Sequence, residues 1–366
     1  MKKNGSRILV VGQTPPPFGG QAMIIKKIID SNYRQLEIYH VKMSFSKEMS
    51  KMGSFDFSKV IHLIKIIYDI YIYKYRYDIN MLFYPPSGPN TIPIIRDIII
   101  LFFTRRLFKK IIFQFFAGGI SEYYLATNKL LKYLMKKVYF YPDITIRPSL
   151  HSPNDGLIFQ SKEDAILPWG VDDNFDKNKK IKQDRISILF VGVIRESKGI
   201  LILLEACKIL KEENVDFQLT VLGEYYSNEI QKNIFDYLEK NKLKNYIYFE
   251  GVKIDDSYYK CFYKADIFCF PTFFESENLP VVLIDAVKFG LPIITTNWRS
   301  IPEIVKDGVN GFLVEIQNIY QVVEKLKLLI YKKELRDDLG KNSREIYLNK
   351  FDNKIFIKKL EEIITR

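Results

Sequence analysis

The chain has 366 residues, of which 47% are apolar and 27% are charged, so it is a globular protein with room for two domains. Its three cysteines and three histidines lack the spacing of metal ligands, which excludes a disulfide framework or a zinc cluster and predicts no metal site. The formal net charge of +12 lies in the first half, because residues 1–150 carry 23 Lys and Arg against 9 Asp and Glu, whereas residues 151–366 carry 32 against 34.

Apolar, β-branched runs alternate with helical patterns along the first half of the chain. The predicted strands are Arg7–Val11, Leu36–Val41, Asn80–Tyr84, Ile111–Phe116 and Ile144–Arg147. The predicted helices are Gln21–Ser31, Phe57–Tyr75 and Thr91–Leu107. Such alternation is typical of a parallel sheet with crossover helices.

The pattern restarts after a polar linker near residues 170–185. The predicted strands of the second half are Ile186–Val191, Gln218–Leu222, Ile247–Glu250, Ile267–Pro271 and Pro292–Thr295. The predicted helices are Ile200–Glu212, Ser227–Lys240, Ser257–Lys264, Val281–Phe289 and Tyr320–Tyr331. We therefore predict an α/β protein with two Rossmann-like doubly wound domains, residues 1–172 and 173–350, that face each other across a ligand-binding cleft.

A proline- and glycine-rich turn, PPPFGG at residues 15–20, separates the first strand from the first helix. Gly19 and Gly20 at a helix start let the backbone approach a phosphate, which then lies at the positive end of the helix. The turn does not match the GxGxxG pattern, which argues against a dinucleotide cofactor. A turn without a ligand is the alternative interpretation.

A second strand–loop–helix segment has two cations in its loop, Arg195 and Lys198, directly before the predicted helix Ile200–Glu212. A cation before a helix amino terminus is repelled by the helix dipole, and a bound anion would explain the placement. A solvated surface lysine is the alternative.

The third segment is the most informative. A strand ends in a loop that contains Glu277, and a helix that contains Asp285 follows near Pro280. The backbone amides of Asn278 and Leu279 are placed to hold a phosphate, and the two carboxylates are suited to bind hydroxyl groups of a sugar and a ribose. We place Asp285 about two turns into the helix. The alternative is a capping glutamate and an ordinary helical aspartate.

These residues resemble the glycosyl transferases group 1 family (family 4), whose members are retaining enzymes of the GT-B fold. The family has a Glu-x7-Glu motif, a Gly-x-Pro segment and a Pro-Glu-Ile/Val…Asn-Gly-Phe/Leu-Leu-Val stretch. The corresponding residues here are Glu277-x7-Asp285, GLP at 290–292, IPEIV at 301–305 and DGVNGFLV at 307–314. VLGE at 221–224, FEGV at 249–252 and PWGVD at 168–172, with Trp169 for the usual Asn, are similar to further family segments.

The resemblance covers essentially the whole chain and implies a transferase that uses a nucleotide-diphosphate sugar and requires no metal or other cofactor. It implies that Lys198 binds the donor phosphates and that Glu277 contacts the donor sugar, and we predict these two as catalytic. The resemblance also implies that eight other residues contact the donor, namely Gly19, Gly20, Arg195, Gly223, Val252, Asn278, Leu279 and Asp285. The last helix, residues 351–366, is expected to return to the first domain.

Three positions depart from the family pattern. Val193 stands where the family usually has Arg, and we expect Arg195 to supply that charge. Asp285 replaces Glu and is one methylene shorter. Phe116 stands where His often follows a strand of the first domain, so the acceptor side is the less certain part of the site.

The basic first half is expected to bind the acceptor. Regions 57–75 and 91–110 combine apolar and aromatic residues with Lys and Arg, as an amphipathic element at an anionic membrane does. Charged residues interrupt every apolar run long enough to span a bilayer, and Ile8–Val11 is too short for a signal peptide. We predict a cytoplasmic enzyme, peripheral at the inner face of the cell membrane, with a lipid-linked or oligosaccharide acceptor; core helices with solvated edges are the alternative.

Two other functions remain open. One is a nucleotide-sugar epimerase of the same fold, although the sequence lacks the carboxylate and histidine set for that chemistry. The other is a non-catalytic member that binds a nucleotide sugar or a partner glycosyltransferase, which Val193 and Phe116 favour. A nucleic-acid partner is disfavoured because the basic residues match no binding motif.

Overall fold

A computed structural model describes residues 5–16, 19–43 and 57–366, with only the backbone for 57–60. The chain divides into two compact units. Unit 1 comprises Met1–Gly170, Ser276–Leu279 and Asn353–Arg366. Unit 2 comprises Val171–Glu275 and Pro280–Asp352. Each unit is built around a parallel sheet.

Unit 1 alternates strands with helices. Its strands are β1 (Ser6–Gly12), β2 (Leu36–Lys42), β3 (Met81–Tyr84), β4 (Lys110–Gln114), β5 (Ile144–Arg147) and β6 (Glu163–Ile166). Its helices begin with α1 (Gly20–Asp30), α2 (Phe57–Arg76), α3 (Thr91–Thr104), α4 (Ile120–Ala126), α5 (Lys129–Tyr139) and α6 (Asp155–Ile158). A 3-10 turn, Arg105–Leu107, follows α3.

The described strands of unit 1 form a sheet in the order β2-β1-β3-β4-β5-β6, and all pairs are parallel. The central strands are apolar on both faces, as expected when helices cover both sides of a sheet. In β1, for example, the four residues 8–11 have no exposed surface. The strand order reverses between β1 and β3, and such a reversal is the usual place for a ligand in a parallel sheet.

Unit 2 repeats this plan. Its strands are β7 (Ile186–Val191), β8 (Phe217–Leu222), β9 (Ile247–Gly251), β10 (Ile267–Phe270), β11 (Ile293–Thr296) and β12 (Gly311–Val314). Its helices are α7 (Ile200–Glu212), α8 (Asn228–Lys240), α9 (Asp255–Lys264), α10 (Val281–Lys288), α11 (Ile319–Tyr331) and α12 (Lys333–Ile346). Short 3-10 turns cover Lys177–Lys179, Glu196–Lys198 and Ile301–Glu303, and a π-helical turn covers Tyr347–Phe351.

The described strands of unit 2 form a parallel sheet in the order β12-β11-β10-β7-β8-β9. The strand order reverses between β7 and β10, so the loops that follow these two strands lie next to each other at the carboxyl edge of the sheet.

The last helix, α13 (Asn353–Thr365), belongs to unit 1. The Lys110 side chain donates to the Ile364 carbonyl at 2.8 Å, and the Gln35 amide donates to the Glu361 carboxylate at 2.5 Å. Phe356, Leu360 and Ile364 are buried. Unit 1 is therefore completed by the carboxyl-terminal part of the chain.

The predicted elements agree with the structure in most of the chain. The strands Ile144–Arg147 and Ile186–Val191 and the helix Ile200–Glu212 have the predicted bounds. Other ends differ by at most three residues, the largest difference being α3, which ends at Thr104 and not at the predicted Leu107. The elements that the sequence analysis did not identify are α4, α5, α6, β6, β12 and α12.

Candidate functional site

The loops after β7 and β10 in unit 2 are joined by hydrogen bonds. The Phe273 amide donates to the Ser197 carbonyl at 2.8 Å, and the Thr272 hydroxyl donates to the same oxygen at 3.3 Å. Ser197 lies between the two predicted phosphate ligands, Arg195 and Lys198. The loop that bears these cations is therefore held against the segment that follows β10.

Arg195 and Lys198 converge on one aromatic ring. The Arg195 guanidinium lies 4.8 Å from the Phe274 ring centroid, and the Lys198 ammonium lies 4.5 Å from it. Arg195 also lies 4.6 Å from the ring of Tyr226. Both cations are half-buried. Aromatic faces attract cations and fix their positions, so positive charge is concentrated at the point where the sheet changes direction.

Gly199 sets the position of Lys198 relative to α7. It has a φ of +83°, and a Cβ atom there would lie 2.1 Å from the Pro271 carbonyl oxygen, so only glycine fits. Lys198 thus immediately precedes the cap of a thirteen-residue helix, where the helix dipole opposes a cation. An anion bound between the helix end and the lysine would relieve this repulsion.

Gly223 and Val252 lie at the same carboxyl edge, after β8 and β9. The Gly223 amide donates to the Gly251 carbonyl at 3.0 Å. Gly223 has a φ of +145°, and a Cβ atom there would lie 1.8 Å from the Gly192 carbonyl oxygen. The ends of β7 and β8 approach each other too closely for any side chain at this position, whereas Val252 is exposed.

Asp285 is the fifth residue of α10 and lies just over one turn from the helix start, so the predicted depth of two turns is wrong. Its carboxylate contacts the Lys288 ammonium at 2.9 Å and accepts a hydrogen bond from the Tyr258 hydroxyl at 2.9 Å. Burial, and then the Asp285 charge, raise the pKa of Tyr258 well above its usual value, so this hydroxyl remains a donor. Both carboxylate oxygens are engaged within unit 2.

Glu277, Asn278 and Leu279 lie in the short segment of unit 1 at 276–279. The Asn278 side chain is 4% exposed, and both ends of its amide are bonded. It accepts from the Ser152 hydroxyl at 2.6 Å and donates to the Phe115 carbonyl at 3.2 Å. The buried Asn278 side chain therefore anchors the backbone next to Glu277.

Trp169, which replaces the family's usual Asn, and Phe116, which replaces His, contact each other. Their rings are stacked, with centroids 4.8 Å apart and an angle of 20° between the planes. The Trp169 indole N–H also donates to the Leu279 carbonyl at 2.9 Å. Phe116 in place of histidine is thus part of an aromatic pair that supports the segment bearing Glu277.

We expect Trp169→Phe to destabilise the protein by about 1–3 kcal/mol, because the buried Leu279 carbonyl loses its donor while the stacking is kept. Thermal unfolding monitored by circular dichroism measures the loss. Trp298→Phe is the matched control, because Trp298 donates to the Phe274 carbonyl at 2.9 Å from a more exposed position and should cost less. Equal losses in both variants would refute the anchoring role of Trp169.

Gly19 caps the amino terminus of α1, and Gly20 is its first residue. Gly19 has an extended backbone, with φ of −105°, so its conformation does not itself require glycine. Pro17 and Phe18, in the same predicted turn, lie outside the described residues. The Pro15 carbonyl accepts from the Lys42 side chain at 3.2 Å, which ties this loop to the end of β2.

Several residues that shape the site were not predicted from the sequence. Phe274 lies in the third predicted segment, but its contact with Arg195 and Lys198 joins positions that are distant in the sequence. Ser152 is separated from Asn278 by 126 positions and has no sequence signal. In the described parts of the chain, no group of three His, Cys, Asp or Glu side chains is placed to hold a metal ion.

Comparison with known sequences identifies a matching family and several relatives. The sequence model of the glycosyl transferases group 1 family matches residues 171–346. The chain is 31% identical over 189 residues to the capsular polysaccharide biosynthesis glycosyltransferase CapM of Staphylococcus aureus, covering 51% of this chain and 48% of CapM. It is 28% identical over 156 residues to the putative colanic acid biosynthesis glycosyltransferase WcaL of Salmonella typhimurium, covering 41% and 38%. The chain therefore spans less than half the length of these relatives.

Solved structures resemble the whole chain. The sucrose-phosphate synthase of Thermosynechococcus elongatus has a TM-score of 0.74 at 16% identity, over 98% of each chain. HepE of Anabaena, in a complex with UDP-glucose, has a TM-score of 0.71 at 13% identity, over 98% of this chain and 99% of HepE. These likenesses confirm the predicted GT-B fold.

Proposed function

We propose that this protein, a member of the glycosyl transferases group 1 family through residues 171–346, transfers a sugar from a nucleotide-diphosphate donor to a lipid-linked or polysaccharide acceptor, with retention of configuration. The observation that carries the proposal is the convergence of Arg195 and Lys198 on Phe274 at the end of β7. Two cations fixed in this way match the charge of a diphosphate.

In this proposal Lys198 and Arg195 stabilise the negative charge that develops on the diphosphate as the glycosidic bond breaks. Such stabilisation is most effective when the charges are held in place before the reaction begins. The joined loops and the Phe274 ring provide that arrangement within unit 2. Arg195 then compensates for the absence of an arginine at Val193.

The remaining predicted residues have roles in donor binding. Glu277 would contact the sugar, and the amides of Asn278 and Leu279 would contact a phosphate. Gly19 and Gly20, at the start of α1 in unit 1, would contact a phosphate. Asp285 would accept a ribose hydroxyl, while Gly223 and Val252 border the base.

The relatives favour a role in cell-surface glycan synthesis. CapM and WcaL are named for capsular polysaccharide and colanic acid biosynthesis. HepE, which shares the fold, was crystallised with UDP-glucose. We infer that a UDP-sugar is the first donor to test.

An anionic membrane surface is the partner we propose for α2 and α3. The described exposed residues of α2 are apolar or basic; they are Ile61, Ile64, Lys65, Tyr68, Ile72, Tyr75 and Arg76. Those of α3 are Thr91, Ile92, Ile95, Phe102 and Phe103. No described helix is both long and apolar enough to cross a bilayer. Exposed apolar side chains together with lysine and arginine suit binding at the surface of a membrane.

We expect Ile64→Ser/Tyr68→Ser to weaken binding to phosphatidylglycerol vesicles about tenfold or more, because two apolar side chains no longer enter the interface. Vesicle sedimentation measures the loss. Both residues are 63% exposed, so the fold should tolerate the change. The matched control is Leu130→Ser/Tyr133→Ser on α5, at 70% and 58% exposure. Equal binding by both variants, or binding that is independent of anionic lipid, would reject the proposal.

The function is tested by thermal unfolding of the wild-type protein with UDP, GDP, ADP, CMP and dTDP. One nucleotide should stabilise the protein more than the others, and its sugar derivatives are then tested as donors. A nucleotide that binds without turnover of any derivative would favour the non-catalytic alternative. Failure of all five to bind would reject the donor site.

A further inference from the structure

A cavity of about 370 Å³ lies in unit 1 between the end of β2 and α2. It is lined by His40, Val41, Lys42, His62, Lys65, Asp69 and Tyr73. None of these residues belongs to the proposed donor site. Of these two histidines and two lysines, only Lys65 has a role in the function proposed above, as part of the exposed surface of α2.

The cavity lies at the carboxyl edge of the unit 1 sheet, beside the loop that contains Gly19. Lys42 is paired in register with Gly12, the last residue of β1. The His40 ring nitrogen lies 3.0 Å from the Gly12 carbonyl oxygen, and Lys42 donates to the Pro15 carbonyl at 3.2 Å. The cavity therefore borders the start of the β1–α1 loop.

Helix α2 presents two neighbouring stripes. His62, Lys65, Asp69 and Tyr73 recur at spacings of three and four residues, so they share one face of the helix and line the cavity. Ile61, Ile64, Tyr68 and Ile72 each precede one of them by one position and form the adjacent stripe, which is exposed. A polar cavity thus lies next to an apolar surface on the same helix.

The charges around the cavity favour an anion. Among the described residues that line it, Lys42 and Lys65 outweigh Asp69. Burial lowers the pKa of His40, and the charge of Lys42 acts in the same direction. The hydrogen bond to Gly12 and the charge of Asp30 oppose this shift. Burial also lowers the pKa of His62, with Lys65 acting in the same direction and Asp69 opposing it. A bound anion would favour the protonated form of both rings.

We propose that this cavity binds a phosphate group of the acceptor, through His40, His62, Lys42 and Lys65. This inference rests on the proposed function, since it adds the class of acceptor to it. Imidazolium and ammonium groups donate short, strong hydrogen bonds to phosphate oxygens. The apolar stripe beside the cavity suits the hydrocarbon of a lipid phosphate.

The three histidines of the chain make a direct test possible. The full-length protein, labelled at histidine, is titrated with acid by NMR in sodium sulfate and in sodium chloride of equal ionic strength. Sulfate remains a dianion throughout the titration of histidine. We expect sulfate to raise the pKa of His40 and His62 by about one unit and to leave His151 unchanged. Equal changes in all three would show screening alone and overturn the proposal.

Inorganic phosphate and octyl phosphate distinguish the two sources of the group. Binding of octyl phosphate that is about tenfold tighter or more would assign the site to a lipid phosphate, because the chain contacts the apolar stripe. Equal binding would assign it to a water-soluble phosphorylated acceptor. No response of His40 or His62 to either compound would overturn the proposal.

Two exposed lysines provide matched variants. Lys65→Ala should weaken phosphate binding about tenfold, whereas Lys136→Ala, on α5, should have no effect. Equal effects of the two would contradict a specific site. Nucleotide binding is measured separately. If nucleotide stabilises the protein but the histidines do not respond, the proposed phosphate site is rejected and the donor site is kept. If the histidines respond but no nucleotide stabilises the protein, the donor site is rejected and the phosphate site is kept.

Discussion

Asp285→Ala is expected to destabilise the protein by about 3–5 kcal/mol, because it leaves the Lys288 ammonium buried without its carboxylate. Lys288 is 1% exposed and lies 2.9 Å from Asp285. The Tyr258 hydroxyl loses its acceptor in the same variant. Urea unfolding monitored by circular dichroism should show a lower midpoint.

Two further variants establish the cause. Asp337→Ala removes an exposed carboxylate that pairs with Lys333 on α12, and it should cost less than about 1 kcal/mol. Asp285→Ala/Lys288→Met removes both charges of the buried pair and should recover at least about half of the loss. If the double variant is no more stable than Asp285→Ala, the uncompensated charge is not the cause.

Lys198→Ala is expected to abolish about half or more of the stabilisation by nucleotide. A ligand at 100 times its dissociation constant adds roughly 2.7 kcal/mol to the free energy of unfolding. Loss of a charged contact to phosphate weakens nucleotide binding by about 10- to 100-fold. If the weakening is about 100-fold, well under half of the nucleotide stabilisation remains. The difference in melting temperature with and without nucleotide measures it.

The control for Lys198→Ala is Lys244→Ala, an exposed lysine of the same unit that pairs with Glu239 at 3.4 Å. It should retain the full response to nucleotide. Unliganded Lys198→Ala should melt near the wild-type temperature, because its side chain is half-buried above a ring that remains in place. An undiminished nucleotide response in Lys198→Ala would refute the phosphate role.

The sequence predicted the fold well where the local pattern decides the structure. Buried parallel strands such as Ile186–Val191 are continuous apolar runs between turns, and they were found with their ends. The strand Gly311–Val314 was overlooked, because it begins with glycine and only one of its four residues is β-branched. Helix α12 was overlooked because it has few apolar residues to mark a buried face.

The candidate site was predictable only in part. Arg195, Lys198 and Asp285 were identified from their order along the chain, which is a local property. Contacts between distant positions, such as that of Asn278 with Ser152, have no local signal. The stacking of Phe116 on Trp169 is of the same kind: each departure was visible in the sequence, but their contact required the fold.

The placement of α13 in unit 1 affects the order of events during synthesis. Every residue of unit 2 precedes Asn353, so unit 2 is synthesised before the last helix of unit 1. Synthesis of unit 1 begins before that of unit 2, but its core is completed last. Phe356, Leu360 and Ile364 are buried in unit 1 only after they have left the ribosome. Until then the surface of unit 1 that they cover is exposed, and a chaperone that recognises apolar surface would meet the nascent chain there.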